Sequence, residues 1–516
     1  MMAQFVEKHE KKVERFLEIV PGLLTWLVIL SPLWLGLLFP KAIVVMLIFL
    51  TVYWFYMALK GTITGFLGYK KFKKEIITDW MAELNKLDYS NLPDKPTLPT
   101  SINDLRHFVL IPMVNEGLDV INATLGALLK QTFPVNQTTL VLTIEEKYYE
   151  QSKASILETL KDDINKFEEV LIYAHPAGIP GEAIGAGAAN RAWGAKHAVE
   201  HLKQTGKNIR NYIFTTIDAD HVLDQQYLAR LTHLYLSCDK RDHKYYSSAV
   251  YLFNNNLWKV PAIMRIEANF VTLGTLSDWA GWHNPNTKDT FAAYSTSLQT
   301  LIDADYWDTS LGIDDTIFYW RAFFARDGDF LGVHHYIPFS ADAVAGTSYV
   351  NAHKSLYKQL LRWGYGVIDF PLSIKGFLKN DRIPLSLKIS WIVKHLHKRV
   401  ILINIVFLIT FGFTITTLIN PDVKQTIFAY SLPNLMSLIL GITTIFLIPG
   451  IILRAKIADP MPEDWPFWKK LLMFLESPLV LVNLLTFSFI PYVDAQTRVL
   501  LGKKLKDLYH TPKVRQ

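Results

Sequence analysis

The sequence predicts an α/β domain, built on a mostly parallel sheet and inserted between transmembrane α-helices. Three observations carry this expectation. Long uncharged apolar runs stand near both ends of the chain, short β-rich runs alternate with amphipathic ones between them, and basic residues cluster beside the apolar runs. At 516 residues there is room for two or three structural units. Half of the residues are apolar and 19% are charged, which suits a soluble domain joined to membrane spans. The net charge of +6 comes from 53 basic and 47 acidic residues, too mixed for a nucleic-acid binder. Cys238 is the single cysteine, so an intrachain disulfide and a thiolate metal cluster are both excluded.

Taken in order, the first 20 residues are amphipathic and charged through Lys8, Lys11, Lys12 and Arg15, unlike a cleaved signal peptide. Runs 23–39 and 42–59 each approach the roughly 20 residues that a bilayer crossing needs. Pro40-Lys41 between them makes a tight hairpin, and Lys60, Lys70, Lys71, Lys73 and Lys74 put its end in the cytosol. Residues 1–60 are thus expected to form an amphipathic N-terminus and a transmembrane hairpin, and 61–103, with prolines at 93 and 99, a linker. Across 104–370, runs 108–111, 139–144, 170–173, 212–217 and 248–252 read as strands, and 117–130, 152–167, 190–204 and 225–237 as helices. Such alternation gives a mostly parallel sheet with helices on both faces. Open sheets of this kind bind ligands beyond the carboxyl ends of their strands.

Residues 371–399 read as interfacial helices, because 383–398 sets Trp391, Lys394, His395 and Lys398 among apolar residues. A second transmembrane hairpin is expected over 400–456, with runs 400–418 and 432–453 followed by Arg454 and Lys456. Residues 457–516 hold the apolar run 471–492, interrupted by Glu476, Pro478 and Pro491, and a basic tail with Lys503, Lys504, Lys506, Lys513 and Arg515. Two spans on each side of the domain already return the chain inside. The run 471–492 is therefore expected to be an interfacial or re-entrant helix, the alternative being a fifth span with an outer tail.

Chemistry is expected first at Thr215-Thr216-Ile217-Asp218-Ala219-Asp220, which ends an apolar strand. Two carboxylates two residues apart present hard oxygens that suit Mg2+ or Mn2+ bridging a diphosphate. Asp303-Ala304-Asp305 and Asp327-Gly328-Asp329 share the spacing but end no such run, and read as solvated turn carboxylates. Asp314 and Asp315 precede an aromatic helical run with Phe318, Tyr319 and Trp320, where helix capping is the bland explanation. Gln359, Arg362 and Trp363 share one helical face, for which an interfacial anchor is the bland counterpart.

In this order, and with Ile111-Pro112-Met113-Val114-Asn115-Glu116 ahead of them, these motifs resemble those of the membrane-embedded family-two glycosyltransferases, in their cellulose-synthase-like branch, over 104–371. The resemblance implies a GT-A-like domain that binds a nucleotide sugar. It puts Asn115, Glu116 and Glu145 at the donor's nucleoside, Asp218 on the donor, and Asp220 with Asp218 on the Mg2+ or Mn2+ of its diphosphate. It makes Asp315 the catalytic base with Asp314 beside it, sets Gln359 and Arg362 on the diphosphate, and stacks Trp363 beneath the acceptor sugar. Thr511 and Lys513 match a gating loop that closes over bound donor. Two departures stand out: Glu145-Glu146 replace an aspartate pair, and the stretch 185–191 lacks the family's lysine, for which Arg191 could substitute. A dinucleotide-binding reading of Gly185-Ala186-Gly187 fails, since Ile179-Pro180-Gly181-Glu182 precedes it instead of an apolar strand.

The expected function is an inverting, metal-dependent transfer of a sugar, from a UDP-linked donor by resemblance, to a glycan acceptor at the membrane, with processive growth as one form. Inversion follows from a single displacement, since no covalent nucleophile stands near the motifs. The alternative is one transfer to a polyprenyl phosphate or other lipid acceptor. Expected partners are the nucleotide sugar, a glycan or lipid acceptor and membrane lipid, without nucleic acid. The expected setting is the cell membrane, multi-pass, with the catalytic domain in the cytosol. A transporter or receptor that only binds nucleotide sugars would carry charges inside its spans, and the four apolar runs have essentially none at mid-depth.

Overall fold

The computed structural model describes residues 2–183, 187–281, 287–425, 427–476, 478–503, 509–511, 513 and 515. Gly185, Ala186, Lys504, Lys506 and Pro512 lie outside the described residues. The chain divides into two units, and both are discontinuous. One comprises Lys70–Pro261, His283–Ser355 and Leu505–Gln516, and carries the sheets. The other comprises Met1–Tyr69, Ala262–Trp282 and Leu356–Lys504, and is helical.

Among its described residues the sheet-bearing unit has ten strands in chain order: β1 Arg106–Met113, β2 Thr138–Glu145, β3 Glu169–His175, β4 Tyr212–Thr216, β5 Val222–Leu223, β6 Lys244–Ser248, β7 Tyr251–Leu252, β8 Tyr294–Ser297, β9 Leu331–His335 and β10 Phe339–Ser340. Seven of them form one sheet in the order β3-β2-β1-β4-β8-β6-β9, and the other three a small sheet, β5-β10-β7. Strands β3, β2, β1 and β4 run parallel, β8 runs antiparallel to β4 and β6, and β9 runs parallel to β6. The mixed α/β class with a mostly parallel sheet is therefore as the sequence predicts. Strands β1, β2 and β4 are buried almost throughout, which explains why they read as continuous apolar runs rather than alternating ones.

The sheet's order turns at β1 and β4. Crossovers go from β1 outward to β2 and β3, then back to β4 on the other side of β1. A crevice opens beyond the carboxyl ends of two such neighbours. Met113 and Thr216 end these strands, just ahead of Asn115-Glu116 and of Asp218.

Two local readings are corrected. The run 248–252 is not one strand: it is the corner between β6 and β7, which belong to different sheets. Ser248 Oγ accepts from Val250 N at 3.0 Å and donates to Ile337 O at 2.6 Å, so the chain turns there. The expected linker 61–103 is largely ordered. Helix Pro40–Ile76 continues through the lysines, which are good helix formers, and Glu75 near its end binds Arg230 at 3.0 and 3.1 Å. Buried Arg241 then pins the proline segment through Pro93 O, Asp94 O and Thr97 Oγ1.

Among the described residues of the helical unit, four helices are long and apolar enough to cross a membrane: Pro40–Ile76, Leu385–Ile419, Ser431–Ile457 and Leu479–Leu500. The pair Glu10–Ile29 and Ser31–Leu38, bent by 60°, counts as a fifth if taken together. The run 23–39 is thus not one straight helix. Pro32 cannot donate into the turn before it, and the carbonyls released there are taken by side chains: Ser31 Oγ binds Val28 O at 2.7 Å and Trp34 Nε1 binds Leu27 O at 3.0 Å. The stretch 383–398, expected to be set apart from the following span, runs into it through a π-turn, His397–Ile401. Ile43, Leu47 and Leu50 pack on Ile405, Leu408 and Ile409, and Gly412 gives Leu47 its close approach.

Candidate active site

Beyond β4 the chain leaves strand geometry at Ile217, and Asp218, Asp220 and His221 come together with ligand atoms within 4.8 Å of one another. Asp218 is exposed, whereas Asp220 and His221 are buried. The Asp220 carboxylate is held from two sides. Its Oδ2 accepts from Asp342 N and from Lys513 Nζ, both at 2.8 Å, and its Oδ1 is buried with no hydrogen-bond partner. Burial alone would push this carboxyl up, but the net shift is downward, with the Lys513 ammonium and its hydrogen bond the leading opposing influence, and the group stays ionised. An ionised buried carboxylate with an unsatisfied oxygen beside a second carboxylate fits a hard divalent cation. His221 fits less directly. Its Nδ1 accepts from Asp218 N at 3.1 Å, so a neutral ring carries its proton on Nε2, 3.7 Å from Asp218 Oδ2. In that tautomer it orients Asp218 and is not itself a ligand.

Asp314 and Asp315 begin helix Asp315–Ala325. Asp314 caps it, with Oδ1 accepting from Asp315 N at 3.2 Å, while its Oδ2 pairs with Arg191 Nη1. Arg191 Nη2 pairs in turn with Asp218, so one guanidinium touches both acidic loops. Asp315 Oδ2 accepts from Ala292 N at 3.3 Å. The buried Tyr251 reports this convergence: burial raises its hydroxyl pKa well above the ordinary value, and Asp220, Asp218, Asp315 and Asp342 push the same way.

At the other strand ends, Glu116 is buried and its Oε2 accepts from Val114 N at 2.8 Å, while neighbouring Asn115 is exposed. Burial pushes the Glu116 carboxyl up to about 7. Glu145, at the end of β2, accepts from Asn190 Nδ2 at 3.1 Å and binds His175 Nδ1 at 3.2 Å. His175 Nε2 meets Glu182 at 3.1 Å. Burial lowers the His175 pKa, but the two carboxylates outweigh it and the net shift is upward, toward imidazolium.

The tail reaches this same set. Thr511 is buried, Lys513 binds Asp220, and Arg515 forks onto Asp342 at 2.8 to 3.1 Å and reaches Asp119 O at 3.2 Å. His510 Nε2 lies 3.8 Å from Glu116.

No family model matches the chain, and no curated protein does. Among solved structures it is similar to the mannosyltransferase PcManGT from Pyrobaculum calidifontis, in complex with GDP-Man and Mn2+. The identity is 13% and the TM-score 0.41, covering 77% of this chain and 98% of that one. It is also similar to S. aureus TarS 1-349 in complex with UDP-GlcNAc, at 13% identity and a TM-score of 0.35, covering 77% and 93%. These are distant likenesses, and what the chain does is read from the site itself.

Asn115, Glu116, Glu145, Asp218, Asp220, Asp314, Asp315, Thr511 and Lys513 all belong to the sheet-bearing unit. Gln359, Arg362 and Trp363 lie half-buried on helix Tyr349–Gly364, in the portion that belongs to the helical unit. Asp303 and Asp305 are exposed and paired with Arg326 and Arg321, each at 2.6 Å. Sequence reasoning missed His221, Asp342, Asn255 and Tyr251, and the bridging role of Arg191. Only His221, next to Asp220, carried a signal of its own.

Proposed function

We propose that this protein is a membrane glycosyltransferase that moves a sugar from a nucleotide-sugar donor to an acceptor hydroxyl in one inverting displacement. One observation carries the reading: two acidic pairs, Asp218/Asp220 and Asp314/Asp315, meet at the switch point beyond β1 and β4, and one buried arginine joins them. Asp218 and Asp220 would hold Mg2+ or Mn2+, which when bound neutralises charge on the departing diphosphate. Asp315 takes the proton of the attacking hydroxyl, the role the resemblance implies for it, with Asp314 beside it capping the helix and paired with Arg191. Asn115, Glu116 and Glu145 line the nucleoside pocket, with His175 and Asn190 fixing Glu145. Gln359 and Arg362 contribute to the diphosphate. Trp363 offers a flat apolar face to a sugar ring, which favours a glycan acceptor and extension of a chain over one transfer to a lipid. Lys513 and Thr511 act as a gate over the donor.

The test is a screen of nucleotide sugars with purified full-length protein in detergent, reading free nucleotide. Release from one donor, dependent on Mn2+ or Mg2+, is expected, and a ladder of products marks chain extension. A protein that binds donors and releases no nucleotide from any of them is a transporter or receptor, and the proposal then fails.

Connectivity supports a cytosolic tail. The chain leaves the sheet-bearing unit at Ser355 and rejoins it at Leu505, passing through three helices that could each cross a membrane. With Lys513 on Asp220 the number of crossings between them must be even. Helix Ala262–Ala280 begins and ends at the sheet-bearing unit, and its Arg265 and Glu267 bind Glu476 and Asn483. That supports 476–488 as a segment held at the interface, with Leu385–Ile419 and Ser431–Ile457 crossing and the tail in the cytosol. A cysteine at Lys513, with Cys238 changed to Ser, is expected to resist a membrane-impermeant thiol reagent in intact cells. Labelling there would put the tail outside.

A further inference from the structure

We infer that Arg191 is a positioning residue that couples the cation-binding loop to the catalytic base, fixing Asp314 and through it Asp315. This deepens the transferase reading and rests on it. Arg191 sits in the first turns of helix Gly187–Gln204 with its side chain only 4% exposed. Each of its three nitrogens meets an oxygen from a different place in the fold. Nε donates to Thr216 Oγ1, the last residue of β4, at 3.0 Å, Nη2 pairs with Asp218 Oδ1, and Nη1 pairs with Asp314 Oδ2. The planar fork of a guanidinium suits two carboxylates at its two ends, and an ammonium does not reproduce it. Asp314 passes the constraint on, because its other oxygen accepts from Asp315 N at 3.2 Å.

The backbone is shaped for this contact. A Cβ at Gly187 would lie 2.7 Å from Arg191 Nη1 and closer still to Asp314 Oδ2, so glycine is what leaves room for the pair. The sequence offered Arg191 only as a substitute for the family's lysine. A cation that gripped the donor's diphosphate would have to be free to reach it. Here it stands between two carboxylates, one exposed and one partly buried, and its removal leaves like charges facing each other across the place of the guanidinium.

The experiment uses full-length protein in detergent with Arg191→Gln, Arg191→Lys, Asp314→Asn and the Gln/Asn double variant. In Arg191→Gln, kcat is expected to fall about a hundredfold, as small displacements of a reacting group do, while the donor KM changes less than about threefold. Mn2+ binding without donor, followed by the EPR signal of the free ion, is expected to tighten several-fold, since Asp218 loses a competing cation. Arg191→Lys keeps the charge without the fork, so its kcat falls about tenfold and its Mn2+ affinity stays as in the wild type. It also serves if the Gln variant does not fold. The double variant is expected to lose little beyond the larger single loss, because both changes break one linkage. A raised KM with kcat intact would make Arg191 a donor-phosphate grip and overturn the inference. Unchanged kcat, or losses that multiply in the double variant, would overturn it as well. If the wild type turns over no donor, the transferase reading has failed, and the Mn2+ arm still tests the Arg191–Asp218 half.

Discussion

Asp315→Asn is expected to lower the rate of sugar transfer by about two to four decades, the usual cost of losing a general base. The amide keeps the shape and the bond from Ala292 N, but cannot take a proton from the attacking hydroxyl. Donor binding, measured by calorimetry with Mn2+ present, should stay within about twofold of the wild type, because the proton moves only in the transition state. Single-turnover rates give the readout. Near-normal turnover would reduce the pair to what Asp314 demonstrably does at this helix start, which is capping.

Asp220→Ala should be nearly as damaging, with turnover down by about two to three decades through lost stabilisation of the leaving diphosphate. Three things go at once: the unpartnered Oδ1, the acceptor for Asp342 N and the anchor of Lys513. The matched control is Asp305→Ala, in the same Asp-Ala-Asp context. Asp305 is exposed, pairs with Arg321 and sits at a φ of 52°, a region where alanine is less at ease than aspartate. That change should cost about 1 kcal/mol of stability and leave turnover unchanged. Equal losses at both positions would show that the strand end does not distinguish them.

The parts of the molecule that were legible in the sequence share a physical cause. Strands β1, β2 and β4 are enclosed on both faces, so their residues are apolar in unbroken runs, and the acidic residues that follow mark their ends. Strand β8, Tyr-Ser-Thr-Ser, gave no such signal although it is wholly buried. Its hydroxyls are satisfied by partners far away in sequence: Ser295 Oγ lies 2.8 Å from Thr215 Oγ1, and Thr296 Oγ1 donates to Lys244 O. A buried polar strand of this kind looks like a loop until its partners are known. The same holds for Asp342 and Asn255, which meet at 2.9 Å only because β10 pairs with β7 and β5. In the helical unit, hydropathy located the long apolar helices, but it was blind to the 60° break at Leu30 and to the π-turn His397–Ile401, neither of which alters composition.

The ion pairs of the tail also set a timetable. Lys513 is 293 positions beyond Asp220, and Arg515 is 173 beyond Asp342. At ordinary ribosomal speeds the interval between Asp220 and Lys513 is on the order of 15 to 60 seconds. All ten strands are therefore synthesised well before the two cations that neutralise their carboxylates. Loop-closure entropy grows only slowly with separation, so the delay costs little in final stability. Its effect is on the nascent chain, which carries Asp220 and Asp342 uncompensated while the last helices are still being made. A chain ending between the last strand and Lys513 would hold every strand's sequence and lack the two cations that pair with Asp220 and Asp342.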